Sequence, residues 1–250
     1  MAILHLLGTG AAVSDPHRTT TMLAIENNDS LIVIDCGADA VQKLMLANAN
    51  IDNLEALIIT HEHADHVSGF PLFMERIWLL GRSKPLAVYG IKEAIAQAQR
   101  IHDSFDTSDW PNYPKIEWHE FEHENSSLVL SDKNWEITAN PGIHAVPVVG
   151  LRIVNKENTN ILSYSCDTQY SENIIDLAKN SQILVHEASG EFPGHSTAIE
   201  AAQVAARANA KRLILVHLPP KEHLDNHLIA KARAIFSNTD KGIEGGKYHF

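Results

Sequence analysis

The chain has 250 residues, 44% of them hydrophobic and 20% charged, which is enough to bury a sizeable core as a single domain over residues 1–250. No apolar run reaches the 18 or so residues that a membrane span needs, and the N-terminus lacks a basic region ahead of a cleavable apolar segment, so a soluble cytoplasmic protein is expected. Two cysteines, Cys36 and Cys166, leave no room for a disulfide framework or a C-x-x-C motif, and a formal charge of −11 argues against a surface built mainly to grip a polyanion.

In chain order, short runs rich in Ile, Leu and Val alternate with stretches of helical spacing. AILHLL and LIVID predict strands, ADAVQKLMLAN a helix and ALIIT a strand. FPLFMERIWLLG predicts a helix, PLAVYG a strand and KEAIAQAQRIHDSF a helix. Residues 106–127 form the one long irregular stretch, whose Trp110, Pro111, Tyr113 and Pro114 are expected to pack the loop. WEITA, VVGLRIV and NILSYS predict strands, SENIIDLAKN a helix and QILVHE a strand. TAIEAAQVAARANA then predicts a helix, LILVHL a strand and LIAKARAIF a last helix. This alternation is that of an α/β protein with covered sheets.

Polar residues collect at the predicted strand exits. His61 follows LIIT and opens HEHADHVSG, Asp167 follows ILSYSC, Glu187 ends QILVHE, and His217 follows LILV. His144 lies in the turn-rich ANPGIHAVP. Side chains at the carboxyl ends of strands converge on one crevice, so residues far apart in sequence can share a site. In H-x-H-x-D-H, His61 and His63 can direct imidazoles at one metal while Asp65 and His66 suit a second. His144 and His217 can complete the two sites, and Asp167 is the natural bridge because one carboxylate holds two metals. A nitrogen and oxygen donor set without clustered thiolates points to an open hydrolytic centre with two divalent ions, zinc first and manganese as the alternative. Such a pair lowers the pKa of a bridging water to about 7, which supplies hydroxide at neutral pH. Asp65 can orient that water or take its proton.

Thr197 to Glu200 reads as a capping box that opens a helix, a place suited to a phosphate oxygen, with His195 delivered beside it. Glu187 can hold the His195 imidazole and favour its donating form, or it can anchor a loop. Asp35 in LIVIDCG either orients a ligating histidine or forms a turn before Gly37. His186 adjoins Glu187 and points to the opposite face of a continuing strand, so it stays out of the site. His5, His17, His102, His119, His123, His223, His227 and His249 have no matching partner pattern and read as structural or solvated.

These residues resemble the metallo-β-lactamase fold, and within it the ribonuclease Z-like branch. LLGTGAAVSDPHRTT, LIVIDCG, THEHADHVSGFPLF, SYSCDT, HEAS and GHSTAIEAAQVAARANAKRLILVHL carry the likeness over nearly the whole chain. The resemblance implies a four-layer αβ/βα sandwich with the metals at one edge between two sheets. It implies one metal on His61, His63, His144 and Asp167 and the other on Asp65, His66, Asp167 and His217, with His195 and Glu187 stabilising the transition state and protonating the leaving oxygen. Ribonucleases Z generally carry a basic arm before the strand of the bridging aspartate. Here that interval is LRIVNKENTN, with Arg152 and Lys156 its only basic residues, and the tail reads PPKEHLDN instead of that family's usual Ser and Arg-Tyr sequence.

The armless form is similar to compact phosphodiesterases of this branch, including anti-Pycsar proteins. That likeness implies a cyclic-nucleotide phosphodiesterase acting as a homodimer on a small phosphodiester, with RNA a less favoured partner. A transfer-RNA 3′ endonuclease is the alternative, followed by an arylsulfatase or carboxylic-ester hydrolase. A noncatalytic metal-binding scaffold is the reading of a different class.

Overall fold

The computed structural model describes residues 2–220 and 226–250. His223 and part of PPKEHLDN lie outside the described residues. One sheet runs in the order β14 (Lys247–His249), β1 (Ile3–Gly8), β2 (Met22–Glu26), β3 (Leu31–Ile34), β4 (Leu54–Ile59), β5 (Leu86–Gly90) and β6 (Ile116–Glu120). It is antiparallel from β14 to β3 and parallel from β3 to β6. The other runs β13 (Thr239–Lys241), β12 (Leu213–Val216), β11 (Ile183–Glu187), β10 (Ile161–Tyr164), β9 (Val149–Asn155), β8 (Trp135–Pro141) and β7 (Ser127–Ser131). There the parallel strands are β10 to β13 and the antiparallel ones β7 to β10.

Parallel neighbours need crossovers, and the crossovers supply the outer layers. On the first sheet these are α1 (Ala40–Leu46), α3 (Phe70–Leu79) and α4 (Lys92–His102); on the second, α5 (Glu172–Leu177), α6 (Ala198–Arg207) and α7 (Asn226–Ile235). The result is the four-layer αβ/βα sandwich that the family resemblance implies. One apolar core joins both sheets, with Leu6, Leu23 and Ile58 from the first and Trp135, Leu151 and Tyr164 from the second. A second core lies under α5, α6 and α7 and includes Ile174, Ala201, Val204 and Leu215.

Period-two alternation along β11 decides which polar side chain reaches the seam. Ile183 and Val185 face the core between the sheets, whereas Leu184 joins the core under the helices. Glu187 shares parity with the first pair and His186 with Leu184. His186 is accordingly buried away from the seam, bonding the Glu187 carbonyl at 2.8 Å. Among the described residues no helix is long and apolar enough to cross a membrane.

Five strands escape the sequence reading: β2, β6, β7, β13 and β14. The structure corrects the long irregular stretch, since β6 lies within it and pairs with β5 from Ile116↔Leu86 to Glu120↔Gly90. The rest of that stretch packs as a loop, with Trp110 stacked on Trp78 at 4.6 Å and the Trp78 indole donating to the Pro111 carbonyl at 2.9 Å.

Candidate metal centre

Four short segments at the carboxyl ends of strands meet at one edge of the sandwich. After β4, Thr60 and His61 lead into the one-turn helix α2 (Ala64–Val67), which carries Asp65 and His66, with His63 at its N-cap. His63 makes no capping bond there, so its ring is free to turn inward. His144 comes from the loop between β8 and β9, Asp167 from the exit of β10, and His217 from the exit of β12. The first sheet thus supplies His61, His63, Asp65 and His66, and the second His144, Asp167 and His217.

Two of these strands, β10 and β12, and β3 beside β4 exit through left-handed backbone, at Cys166 (φ 51°), His217 (φ 49°) and Asp35 (φ 62°). None is glycine, so each turn stores roughly 1–3 kcal/mol that the surrounding bonds must hold. Gly37 lets the backbone after β3 lie directly against α2. A Cβ there would sit 1.7 Å from the Asp65 carbonyl oxygen, while Cys36 N–H donates to the His66 carbonyl at 2.8 Å.

All seven predicted ligands are brought together. The ligand atoms of His61, His63 and His144 lie within 4.8 Å of one another, as do those of Asp65, His66, Asp167 and His217. His63 Nδ1 is 3.0 Å from His144 Nε2. Asp167 Oδ2 lies 3.3 Å from His217 Nε2 and 3.5 Å from His66 Nε2, and Asp65 Oδ2 stands at the same two distances from those nitrogens.

The imidazoles are oriented from behind. Asp35 accepts from His66 Nδ1 at 2.8 Å and from the Thr60 backbone N–H at 2.9 Å. The left-handed turn and the orienting contact considered for Asp35 therefore coexist in one residue. His217 Nδ1 bonds Ser189 Oγ at 2.6 Å, His144 Nδ1 donates to the Gly194 carbonyl at 2.8 Å, and His61 Nδ1 bonds Thr60 Oγ1 at 3.1 Å. Such contacts fix the tautomer and aim the other nitrogen. Sequence reasoning assigned no role to Thr60, Ser189 or Gly194. Each lies inside a segment that carries the resemblance, Thr60 in THEHADHVSGFPLF, Ser189 in HEAS and Gly194 in GHST, but a hydroxyl or a backbone carbonyl leaves no pattern that says which ring it meets.

Charges within the cluster reinforce it. Burial opposes ionisation of Asp167, but His217 and His66 overcome it and hold the carboxyl well below its usual range. Burial also opposes ionisation of Asp65, and the close approach of His217 and His66 again outweighs it. His66 is pushed up because Asp167 and Asp35 outweigh its burial, whereas burial lowers His61 and His144. The carboxylates are thus ionised, and His61 and His144 are held in the neutral form that binds metals.

Three buried polar atoms in this cluster have no hydrogen-bond partner: His61 Nε2, His66 Nε2 and Asp167 Oδ1. Such atoms are uncommon in folded proteins, and each of these belongs to a group of converging donors. Unpartnered imidazole nitrogens beside an unpartnered carboxylate oxygen fit divalent cations of the zinc and manganese kind. Cys166 Sγ also lies near, 3.6 Å from His61 Nδ1, but its thiol donates to Thr60 Oγ1 at 2.9 Å and burial pushes its pKa up.

Glu187 and His195 form a second unit beside the ligands. Glu187 is fully buried, accepts from Thr168 N–H at 2.7 Å and Ser189 N–H at 3.2 Å, and bonds His195 Nδ1 at 2.9 Å. Burial lowers the His195 pKa, and the Glu187 carboxylate more than offsets this to raise it. Glu187 therefore anchors the loop and holds the histidine at once. The capping box is present too, Thr197 Oγ1 accepting from Glu200 N–H at 3.2 Å while Glu200 accepts from Thr197 N–H at 2.8 Å. It occupies two donors of that helix start, so His195 is the group of this segment that lines the cavity over the metal cluster.

Other described histidines have partners away from the cluster. His5 pairs with Glu26 at 2.7 Å, His102 with Tyr113 at 3.0 Å and His123 with the Val148 carbonyl at 3.0 Å, while His119 stacks on Tyr89.

Known proteins are similar to this chain in sequence and in fold. The family model described as a beta-lactamase superfamily domain matches residues 31–218. A ribonuclease Z of Methanothermobacter thermautotrophicus is 27% identical, the alignment covering 94% of this chain and 92% of that protein. Human tRNase Z, short form, superposes with a TM-score of 0.81 at 22% identity, over 99% of this chain and 98% of that one. A diphosphatase of the PhnP family superposes with a TM-score of 0.75 at 20% identity, covering 100% and 98%. The match across most of its length, over a cluster of divalent-metal donors, shows that this chain belongs to the beta-lactamase superfamily and is a metal-dependent hydrolase of the metallo-β-lactamase fold.

Proposed function

We propose that this chain is a phosphodiesterase whose preferred substrates are small, 3′,5′-cyclic nucleotides first among them. His61, His63, His144 and Asp167 would hold one metal, and Asp65, His66, Asp167 and His217 the other, with zinc as the resident ion. Two such ions supply Lewis acidity, which provides hydroxide at neutral pH and neutralises charge on phosphate oxygens. Asp35, Ser189 and the Gly194 carbonyl aim the ligating rings. Asp65 orients the attacking water. With Nδ1 committed to Glu187, His195 keeps Nε2 for the leaving oxygen, to which it donates its proton.

The observation that carries the choice of substrate is the connection between β9 and β10. Strand pairing resumes at Ile161↔Val154 after a tight turn, which Thr159 N–H and Asn155 N–H close on the carbonyls of Asn155 and Asn160 at 2.8 and 2.9 Å. Both basic side chains of this interval are spent internally. Arg152 donates to the Leu177 and Lys179 carbonyls, each at 2.8 Å, and Lys156 to Ser131 Oγ at 2.8 Å and the Asp132 carbonyl at 2.6 Å. Neither is left to hold the backbone of a large RNA, whereas a single phosphodiester needs no remote grip.

The relatives named ribonuclease Z favour a second reading, cleavage of a precursor tRNA near its 3′ end. Product analysis with both substrates side by side separates the two. We expect metal-dependent ring opening well above tRNA cleavage. Efficient, site-specific tRNA cleavage without ring opening would reverse the ranking.

A further inference from the structure

Above the metal donors lies a cavity of about 390 Å³ whose floor includes His63, Asp65, Asp167 and His217 and whose side includes His195. Its rim is of another character. Ala11, Ala12 and Val13 enter it from the loop between β1 and β2, and Phe192 and Pro193 from the loop between β11 and α6. Val13 is 61% exposed and Phe192 63% exposed. A single exposed apolar side chain needs no explanation, but two from separate loops that line one cavity with a cluster of ligating groups mark a binding surface.

Neither side chain is needed to hold its loop. Phe192 N–H donates to the Gly190 carbonyl at 2.9 Å, the Phe192 carbonyl accepts from His195 N–H at 3.0 Å, and Gly190 N–H reaches the Ser196 carbonyl at 3.1 Å. Gly194, at φ 88°, turns the chain where a Cβ would meet His144 Nδ1 at 2.7 Å. The other loop is tied down through Ala11 N–H to the Leu218 carbonyl at 3.0 Å and through Arg18 to Asp15 at 2.7 Å and the Pro219 carbonyl at 2.6 Å. Backbone bonds and an ion pair fix both rims, which leaves the phenyl ring and the valine methyls available to a ligand.

We propose that Phe192 and Val13 form an apolar clamp that stacks the nucleobase of a nucleotide whose phosphate lies on the metal donors below. This rests on the phosphodiesterase reading above. Apolar side chains offer a base its face but no partner for its edge, so the clamp selects for a base without choosing among bases. Purine and pyrimidine nucleotides should therefore be handled within about tenfold of one another.

The test compares ligands that differ only in the base. In zinc-loaded protein, calorimetry gives Kd for uridine 5′-monophosphate and for ribose 5-phosphate, while turnover is followed on 3′,5′-cyclic UMP and on its abasic analogue. Wild-type protein should bind the nucleotide more tightly than the sugar phosphate. Phe192→Ala should weaken nucleotide binding by about 5- to 150-fold, the usual cost of losing one stacked base, and leave ribose 5-phosphate unchanged. Phe192→Trp should restore the preference, and Val13→Ser should reduce it.

Equal wild-type affinity for the two ligands would overturn the clamp, as would equal weakening of both in Phe192→Ala, which marks a merely structural ring. Phe192→Leu keeps the apolar bulk and asks the same question should the alanine variant fold poorly. If wild-type protein opens no cyclic nucleotide yet prefers the nucleotide in calorimetry, the catalytic reading fails and the clamp stands.

Discussion

At the scale of single residues, one carboxylate sets what His195 can do. Glu187 is buried, yet three donors satisfy it: Thr168 N–H, Ser189 N–H and His195 Nδ1. A buried charge with full partners is stable, and it fixes its donor's orientation and proton. His195→Ala should fold and keep its metal while turnover falls by about 10²–10⁴-fold, the usual worth of a positioned acid. Elemental analysis alongside kcat on a substrate with a poor leaving group checks both halves. Near-normal turnover would remove His195 from the chemistry. Glu187→Gln can keep one oxygen for Thr168 N–H and His195 Nδ1, but it removes the charge and turns an amide nitrogen toward Ser189 N–H, so it tests the charge and the Ser189 contact together.

At the scale of elements, the close approach between the β3 exit and α2 holds two ligands in place. Gly37→Ala puts a methyl group against the Asp65 carbonyl and 2.8 Å from His66 N, so α2 must shift. A displacement of about 1 Å at a reacting centre can cost about 100-fold. The variant should keep its far-UV circular dichroism yet lose about that much kcat/KM and retain less metal; unchanged metal and rate would show that α2 yields without consequence.

The same pair of elements shows what sequence can convey. H-x-H-x-D-H marked four candidate ligands, which the structure brings together, because neighbouring residues on one turn can face a common metal, and LIVID and ALIIT read as strands because both faces of β3 and β4 are buried. What aims the imidazoles was harder to read, since Thr60, Ser189 and the Gly194 carbonyl meet His61, His217 and His144 only through the fold. β6 was missed for a related reason. IEWHE is an edge strand, largely solvated and charged, that becomes a strand through its pairing with β5. The three-residue β13 and β14 likewise follow from their partners.

At the scale of the whole molecule, the candidate donors come from both sheets, so an ion held by them would span the seam of the sandwich and would bind only when the sheets are docked. Metal should therefore add stability by linkage, roughly 2.7 kcal/mol per site at a free concentration 100 times Kd. For a chain of this size that corresponds to about 5–10 °C in Tm per site, and to about 10–20 °C when both are emptied. Chelation should lower Tm by that amount and added zinc should restore it; a Tm indifferent to chelator would mean that the seam is held by the apolar core alone. The turn between β9 and β10 has a different consequence, one that concerns design. A hairpin end tolerates inserted chain cheaply, each doubling of loop length costing about 0.6 kcal/mol. Substrate size is then a detachable attribute of this architecture. A basic arm grafted between Lys156 and Asn160 would convert a pocket for small molecules into a platform for a folded polyanion, with every donor at the seam left where it is.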